Sequence, residues 1–382
     1  MTFWKVLGVL AAWNALCWLV IGALLAPGIP GGAVTVVSVA LLALAPVVPM
    51  ARSMLGRRYP SASMRRLVFR PFWYVQLLLP ILTAIAIVSV LVGLPFGSAG
   101  EAGRLAIVSA TALYIVLMLW GYVGSRRLVV RPLELRFEAL PAGLDGLRIV
   151  QISDLHVGPH TSRRHLERIA AATAAARPHL IALTGDQVDD YAGDTEPFAR
   201  AFAGLDAPLG VHAIAGNHDI YAGWSGVRAG LEAAGINVLV NEAMEIEHNG
   251  ATFWLAGTGD PAATAVSLRA SEAVPDIDRT LGAIPDGAFV VALAHNPVLW
   301  PALAERGVEL TLSGHTHHGQ FSIPRLGWSL ASPFLEHSMD LHRRDGSLLY
   351  VNPGTNYWGI PFRIGALPEI TVVTLRRGRA AD

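Results

Sequence analysis

Four apolar stretches, Val6 to Leu25, Ala33 to Met50, Phe72 to Leu94 and Leu105 to Val123, fill most of the first third of the chain. Each comes close to the ~20 residues that a helix needs to cross the hydrocarbon layer of a bilayer. Backbone groups in lipid have to be satisfied within their own segment, so each stretch is expected to span as a helix. Pro46 and Pro49 near the end of the second, and Pro80 inside the third, blur boundaries only, because prolines are better tolerated in membrane helices. The whole chain of 382 residues is 53% hydrophobic and 15% charged, with a mean hydropathy of +0.45, too apolar for a soluble protein of this size.

Orientation follows from the connections. The linker from Ala51 to Arg70 carries Arg52, Arg57, Arg58, Arg65, Arg66 and Arg70, and Arg126, Arg127 and Arg131 follow the fourth span. The other two connections hold a single basic residue, Arg104. An excess of arginine marks the cytoplasmic side, which puts both termini inside, with Trp4, Trp73 and Trp120 as anchors at one face. Lys5, the first apolar run and Ala23 to Ala26 also fit a signal peptide, but three further spans favour a retained helix. Apart from Asn14, Gln76 and a few hydroxyls the spans hold no polar groups, which speaks against a transporter.

The second part has different chemistry. Before Asp145 the only acids are Glu101, Glu134 and Glu138, and all thirteen histidines lie from His156 onward. Two domains are therefore expected: residues 1–136, a four-span region, and residues 137–382. Zero net charge gives no field for nucleic acid. The single Cys17 excludes an internal disulfide or a cysteine-rich zinc cage.

Five apolar runs in the second domain each end in polar residues. LRIVQISDLH ends in Asp154 and His156, LIALTGDQVDD in Asp186, Asp189 and Asp190, and GVHAIAGNHD in Asn217, His218 and Asp219. AFVVALAHNP ends in His295, and VELTLSGHTHH in His315 and His317. Such an order reads as strands of an open α/β sheet, whose sites lie past the carboxyl ends of the strands. Carboxylate, amide oxygen and imidazole without thiolate suit Mn, Fe or Zn rather than calcium. Asp154 and His156, like His315 and His317, sit two apart and share a side if the chain is extended. There are more candidate ligands than one tetrahedral ion uses, enough for two ions bridged by one carboxylate.

A lone DxH or a GNHD turn arises without any chemistry. All five motifs in this order, from DLH through GDQVD, GNHD and AHNP to GHTH, resemble the calcineurin-like metallophosphoesterases over roughly Leu140 to Leu375. The later NPGTNYWGIPFRIGALPEITVVTL resembles the closing strands of membrane-associated bacterial members. The resemblance implies an α/β fold, a two-sheet sandwich flanked by helices, preceded here by an all-α transmembrane region. It implies one ion on Asp154, His156, Asp186 and His317, and another on Asp186, Asn217, His295 and His315, with a metal-generated hydroxide attacking phosphorus. It makes His218 the group that protonates the leaving oxygen or stabilises charge on the transferring phosphoryl, with its ring oriented by Asp219, and Asp189 a partner outside the ligand set. His160, His165, His179, His212, His248, His337 and His342 are read as ordinary histidines. His318 stands where the family commonly has glycine, and is expected to line the pocket or to be exposed.

Protein phosphatases of this superfamily carry GDxVDRG and GNHE, whereas here Asp190 and Tyr191 follow Asp189 and the third motif ends in Asp219. The absent arginine argues against a phosphoprotein. A lipid-linked or nucleotide phosphoester is expected instead, hydrolysed at a phosphodiester or pyrophosphate bond, with enzymes similar to UDP-2,3-diacylglucosamine pyrophosphatase of lipid A synthesis as the comparison. IYAGWSG and, near the other rim of the site, NYWGIPFR with Arg363 are candidates for lipid or nucleotide contact, with packing the expected role of Trp224 and Trp358. The competing functions are a non-catalytic membrane scaffold, which would have lost a ligand, and a transporter with a phosphate-sensing domain.

Overall fold

Long apolar runs without charge form helices that continue until a glycine or proline interrupts them. In the computed structural model, which describes residues 3–55, 60–265 and 268–379, these are α1 (Phe3–Leu25), α2 (Gly32–Leu44), α3 (Val47–Leu55), the single turn α4 (Ala62–Met64), α5 (Arg70–Gly93) and α6 (Ala99–Gly124). Pro46, which has no N–H to give, falls at the break between α2 and α3. Pro80 sits inside α5 without ending it. Among the described residues, four segments are long and apolar enough to cross a membrane: Gly8–Gly28, Gly32–Ser53, Arg65–Phe96 and Ala99–Gly124. The third begins earlier than its composition suggested, because a π turn over Arg65–Phe69 carries the arginine-rich linker directly into α5. Arg57, Arg58 and the side chain of Trp4 lie outside the described residues. Asn14 and Gln76 bond to each other through both amides, at 2.8 and 3.2 Å. Two otherwise costly polar groups are thus paired with each other.

The chain forms two units, Met1–Leu119 and Trp120–Asp382, so the last turn of α6 belongs with the second. Strand β1 (Val129–Phe137) lies mostly before the expected boundary at 136/137, yet pairs along its length with the final strand. The remaining strands are β2 (Arg148–Ile152), β3 (Leu180–Leu183), β4 (Val211–Ala213), β5 (Asn237–Val238), β6 (Glu242–His248), β7 (Ala251–Gly257), β8 (Val290–Leu293), β9 (Leu310–Ser313), β10 (Ser322–Ile323), β11 (Trp328–Ser329), β12 (Asp340–Arg344), β13 (Ser347–Val351) and β14 (Glu369–Arg377). Helices α7 (Arg163–Ala175), α8 (Thr195–Phe202), α9 (Asn217–Ala233), α10 (Ile277–Leu281) and α11 (Trp300–Glu305) connect them.

Two six-stranded mixed sheets result, in the orders β1-β14-β2-β3-β4-β5 and β12-β13-β9-β8-β7-β6. Strand alternation divides each apolar run between two layers. Ile149, Leu180, Val291, Leu293, Leu310 and Leu312 meet in the core shared by the two sheets. Val150, Ile181 and Leu183 turn outward to Leu166, Phe198 and Trp224 of the helical layer. Both faces of β2, β3, β8 and β9 are thereby covered, which is why these strands read as continuous apolar runs. Gln151 spans the sandwich, donating from Nε2 to Thr184 Oγ1 and to Ser313 O, both at 2.9 Å. That bond fixes the end of the second sheet against the first at the point where the polar motifs emerge.

Candidate metal centre

All five polar motifs leave the sandwich at the same edge, past β2, β3, β4, β8 and β9. Their loops are bonded to one another by backbone. Asp154 N donates to Gly185 O and His156 N to Asp186 O, each at 3.0 Å, closing the loops after β2 and β3 together. His315 N donates to Asp154 Oδ1 and Oδ2 at 3.1 and 3.2 Å, and His218 N to Asp186 Oδ1 at 2.8 Å. Each aspartate is thus held by the main chain of a histidine from another loop.

Extended alternation does not bring the pairs together, contrary to the simple spacing argument. Asp154, His156, Asp186, His315 and His317 all adopt left-handed backbone, with φ of 53°, 42°, 54°, 70° and 49°. Each such residue costs on the order of 1–3 kcal/mol, and such outliers cluster at functional sites. The turns keep the loops short and aim the side chains inward. They also demand close approach: a Cβ on Gly216 would overlap Asp186, and one on Gly314 would overlap Ser153 Oγ and Asp154 Oδ2.

The side chains form two donor groups. In the first, His317 Nε2 lies 2.9 Å from His156 Nε2 and 3.3 Å from Asp154 Oδ1. In the second, Asn217 Oδ1 lies 3.2 Å from His295 Nε2 and 2.8 Å from His315 Nδ1. Asp186 Oδ2 touches both, 3.6 Å from His156 Nε2 and 3.3 Å from His295 Nε2. Ligands about 2.0–2.2 Å from a zinc-like ion stand roughly 2.8–3.6 Å apart, so these separations fit divalent metal binding. All seven residues expected as ligands are therefore brought together.

The calcineurin-like phosphoesterase family signature matches residues 147–319. An uncharacterized metallophosphoesterase of Bacillus subtilis, YkuE, is 31% identical over 242 residues, covering 62% of this chain and 82% of that protein. The chain belongs to this metallophosphoesterase family. It is also similar to proteins named transmembrane protein with metallophosphoesterase domain. That of Danio rerio is 32% identical over 280 residues, 71% of this chain and 62% of the relative. That of Bos taurus is 29% identical over 298 residues, 74% and 66% respectively. The chain thus spans about two thirds of the length of these two relatives. The chain joins helices long and apolar enough to cross a membrane to a metallophosphoesterase-family domain that carries a cluster suited to divalent metals.

Charge in the cluster is arranged around the two aspartates. Burial alone would raise Asp154 and Asp186, but His317 beside the first and His295 beside the second hold both well below the usual carboxylate range. Burial pushes His315 down to about 4 and His317 to about 3, leaving them neutral, the form in which imidazole binds metal. His156 and His295 go the other way, because for them the surrounding carboxylates outweigh burial.

Outside the donor groups the cluster has partners of three kinds. His295 Nδ1 faces Thr184 O at 2.7 Å, which turns Nε2 toward Asp186. His156 Nδ1 faces Asp189 Oδ1 at 3.4 Å, and His156, Asp189 and His218 also stand close enough together to form a further group able to hold a metal ion. Arg363 Nη2 stands 2.6 Å from His317 Nδ1, and Nη1 donates to Pro353 O and His317 O at 2.6 and 3.0 Å, which fixes the ring with Nε2 toward Asp154.

Four expectations are corrected. Asp219 does not orient His218: its carboxylate accepts from Gly216 N at 2.9 Å and Val188 N at 3.1 Å, capping the start of α9. Burial and the charge of Asp186 push it up to about 7. The ring of His218 is turned by Asp189, whose carbonyl accepts from Nδ1 at 2.7 Å. His318 neither lines the pocket nor lies exposed; it is buried with Nε2 3.0 Å from Val351 O. Arg363 is fully buried rather than at the rim. Trp224 packs in the core as expected, but Trp358 is half exposed, its ring 5.8 Å from that of His218, with Tyr221 at the same distance. Sequence also gave no notice of Asp260, a buried acid pushed up to about 6 by burial, with His295 opposing the rise.

Proposed function

We propose that the domain is a dinuclear metal-dependent phosphoesterase that hydrolyses a phosphodiester or pyrophosphate bond of a lipid-linked or nucleotide substrate at the cytoplasmic face of a cell membrane. The observation that carries this reading is the position of Asp186 Oδ2 between His156 and His295, within 3.6 Å of both. One cation would be held by Asp154, His156, Asp186 and His317, the other by Asp186, Asn217, His295 and His315. Mn, Fe or Zn suits this oxygen and imidazole set. Divalent cations there would polarise phosphoryl oxygens and lower the pKa of water toward neutrality.

The remaining work falls to the chain's own groups. His218 has Nδ1 committed to Asp189 O, which leaves Nε2 to protonate the leaving oxygen as its bond to phosphorus breaks. The ring ends that step neutral. Tyr221 and Trp358, both exposed beside His218, form an aromatic rim suited to an apolar or nucleobase-bearing substituent. An amphiphile such as UDP-2,3-diacylglucosamine combines both kinds. Membrane anchoring raises the local concentration of any substrate in that plane, and the arginine distribution favours the cytoplasmic side.

The test is turnover of an activated phosphodiester by detergent-purified full-length protein with Mn²⁺. Asp186→Ala is expected to abolish activity and metal retention together, while His218→Ala keeps the metal and loses about 10²–10⁴ in rate. Equal turnover in chelator, or an unchanged rate for His218→Ala, contradicts the scheme.

A further inference from the structure

Among the described residues after α6, exposed large apolar side chains concentrate in one place. Ile323, Leu326, Trp328, Leu330 and Phe334 are 40%, 73%, 37%, 52% and 81% exposed, all within twelve positions. They lie on and after the hairpin of β10 and β11, whose turn carries exposed Arg325. A soluble surface rarely keeps so dense an apolar cluster without something to cover it.

The hydrogen bonds of this unit say what lies next to the hairpin. Ser322 N donates to Ile364 O at 2.9 Å, and Ile364 N to Gln320 O at 3.1 Å, so the hairpin base forms an isolated parallel β-bridge between Phe321 and Ile364. Arg363 N in turn donates to Gly121 O at 2.9 Å, and the Phe362 ring packs so closely on Gly121 that a Cβ there would overlap it. Gly121 is in the last turn of the apolar segment Ala99–Gly124 and packs as part of this second unit. The end of a membrane-crossing helix therefore stands two hydrogen-bonded steps from the hairpin. On its other side Gln320 exchanges two bonds of 3.0 Å with the main chain of Trp358, at the rim beside His218.

We propose that the hairpin and the turn after it, Phe321 to Phe334, insert into the headgroup and acyl boundary of the same bilayer, with a phospholipid surface as the occupant of its apolar face. Tryptophan, leucine and phenylalanine around one arginine are the composition of interfacial segments. The last turn of that apolar segment, which belongs to the same unit as the hairpin, is what would bring a bilayer to this face and cover it without a further partner. The hairpin then opens the rim at Trp358 toward lipid, so that the phosphoester can be drawn from the membrane itself; this last step rests on the hydrolase reading given above.

Full-length protein with Cys17→Ala, reconstituted in nanodiscs of phosphatidylcholine and phosphatidylglycerol, tests insertion directly. Nitroxide labels at Leu326→Cys and, separately, Phe334→Cys are compared with one at Asp345→Cys, on the turn between β12 and β13, where the side chain is 94% exposed. Both hairpin labels are expected to collide more with oxygen than with a water-soluble nickel chelate, and the Asp345 label the reverse. Hairpin labels as water-accessible as that at Asp345 overturn the proposal and leave the face to a protein partner. Because label depth is read without turnover, a chain that inserts but hydrolyses nothing counts against the phosphoesterase reading and not against insertion. For delivery, Leu326→Asp/Phe334→Asp is expected to lower the ratio of lipid-embedded to soluble phosphodiester turnover about tenfold or more, given the apolar area two such side chains withdraw from water. An unchanged ratio overturns the delivery step.

Discussion

The two donor groups that share Asp186 are built alike and braced differently. Asp154, His156 and His317 are all buried, whereas Asn217 and His315 of the other group are partly open to solvent. In the deep group the imidazoles lean on side chains, Asp189 behind His156 and Arg363 behind His317. In the shallow group His295 leans on a main-chain carbonyl, Thr184 O. A main-chain brace persists through substitution, but a side-chain brace can be deleted. The deep group can therefore be weakened selectively from outside the donor set.

The largest effect is expected from deleting a donor in either group. His317→Ala and Asn217→Ala are each predicted to lower turnover by about 10²-fold or more, since each strips a contact from a centre that acts as a unit. Their metal contents should differ, with His317→Ala losing the buried ion and Asn217→Ala the exposed one. Loss of both ions in both variants would erase the distinction between the groups.

Chelation comes next. Metal bound at 100 times its dissociation constant adds about 2.7 kcal/mol, or several degrees in Tm for a domain of this size. Calorimetry in rising chelator is predicted to show two steps, the shallow group's metal leaving first. A single step would mean that the two positions empty together.

Removing a brace should cost least. Arg363→Met and Asp189→Asn are predicted to weaken metal affinity about 10- to 100-fold, with the loss confined to the deep position. A titration by isothermal calorimetry resolves the two positions; an equal loss at both would show that the braces serve the whole cluster.

The clustering of these side chains was legible because each lies within four residues of the end of an apolar strand, and five such ends in order carry more information than any one. The reason the pairs converge was not legible. Left-handed backbone at Asp154, His156, His315 and His317 is a product of loops bonded to one another, which spacing along one strand cannot reveal. Arg363 was placed at the rim because its partner His317 lies 46 positions away, joined only through the fold. Asp219 was misread as a catalytic orienter, although a carboxylate three positions into a helix more simply caps that helix. His318 went astray for the same reason as Arg363: Val351 and Asp340, its partners, come from the far side of the second sheet. In the membrane unit, composition located the helices, but the start of the third was missed because arginines continue it as a π turn.

The most direct test is anomalous diffraction from crystals of the full chain grown with Mn²⁺. Two peaks are predicted, one on each side of Asp186 Oδ2, the first among Asp154, His156 and His317 and the second among Asn217, His295 and His315. One peak or none at saturating Mn²⁺, or a pair that does not share Asp186, would contradict the account.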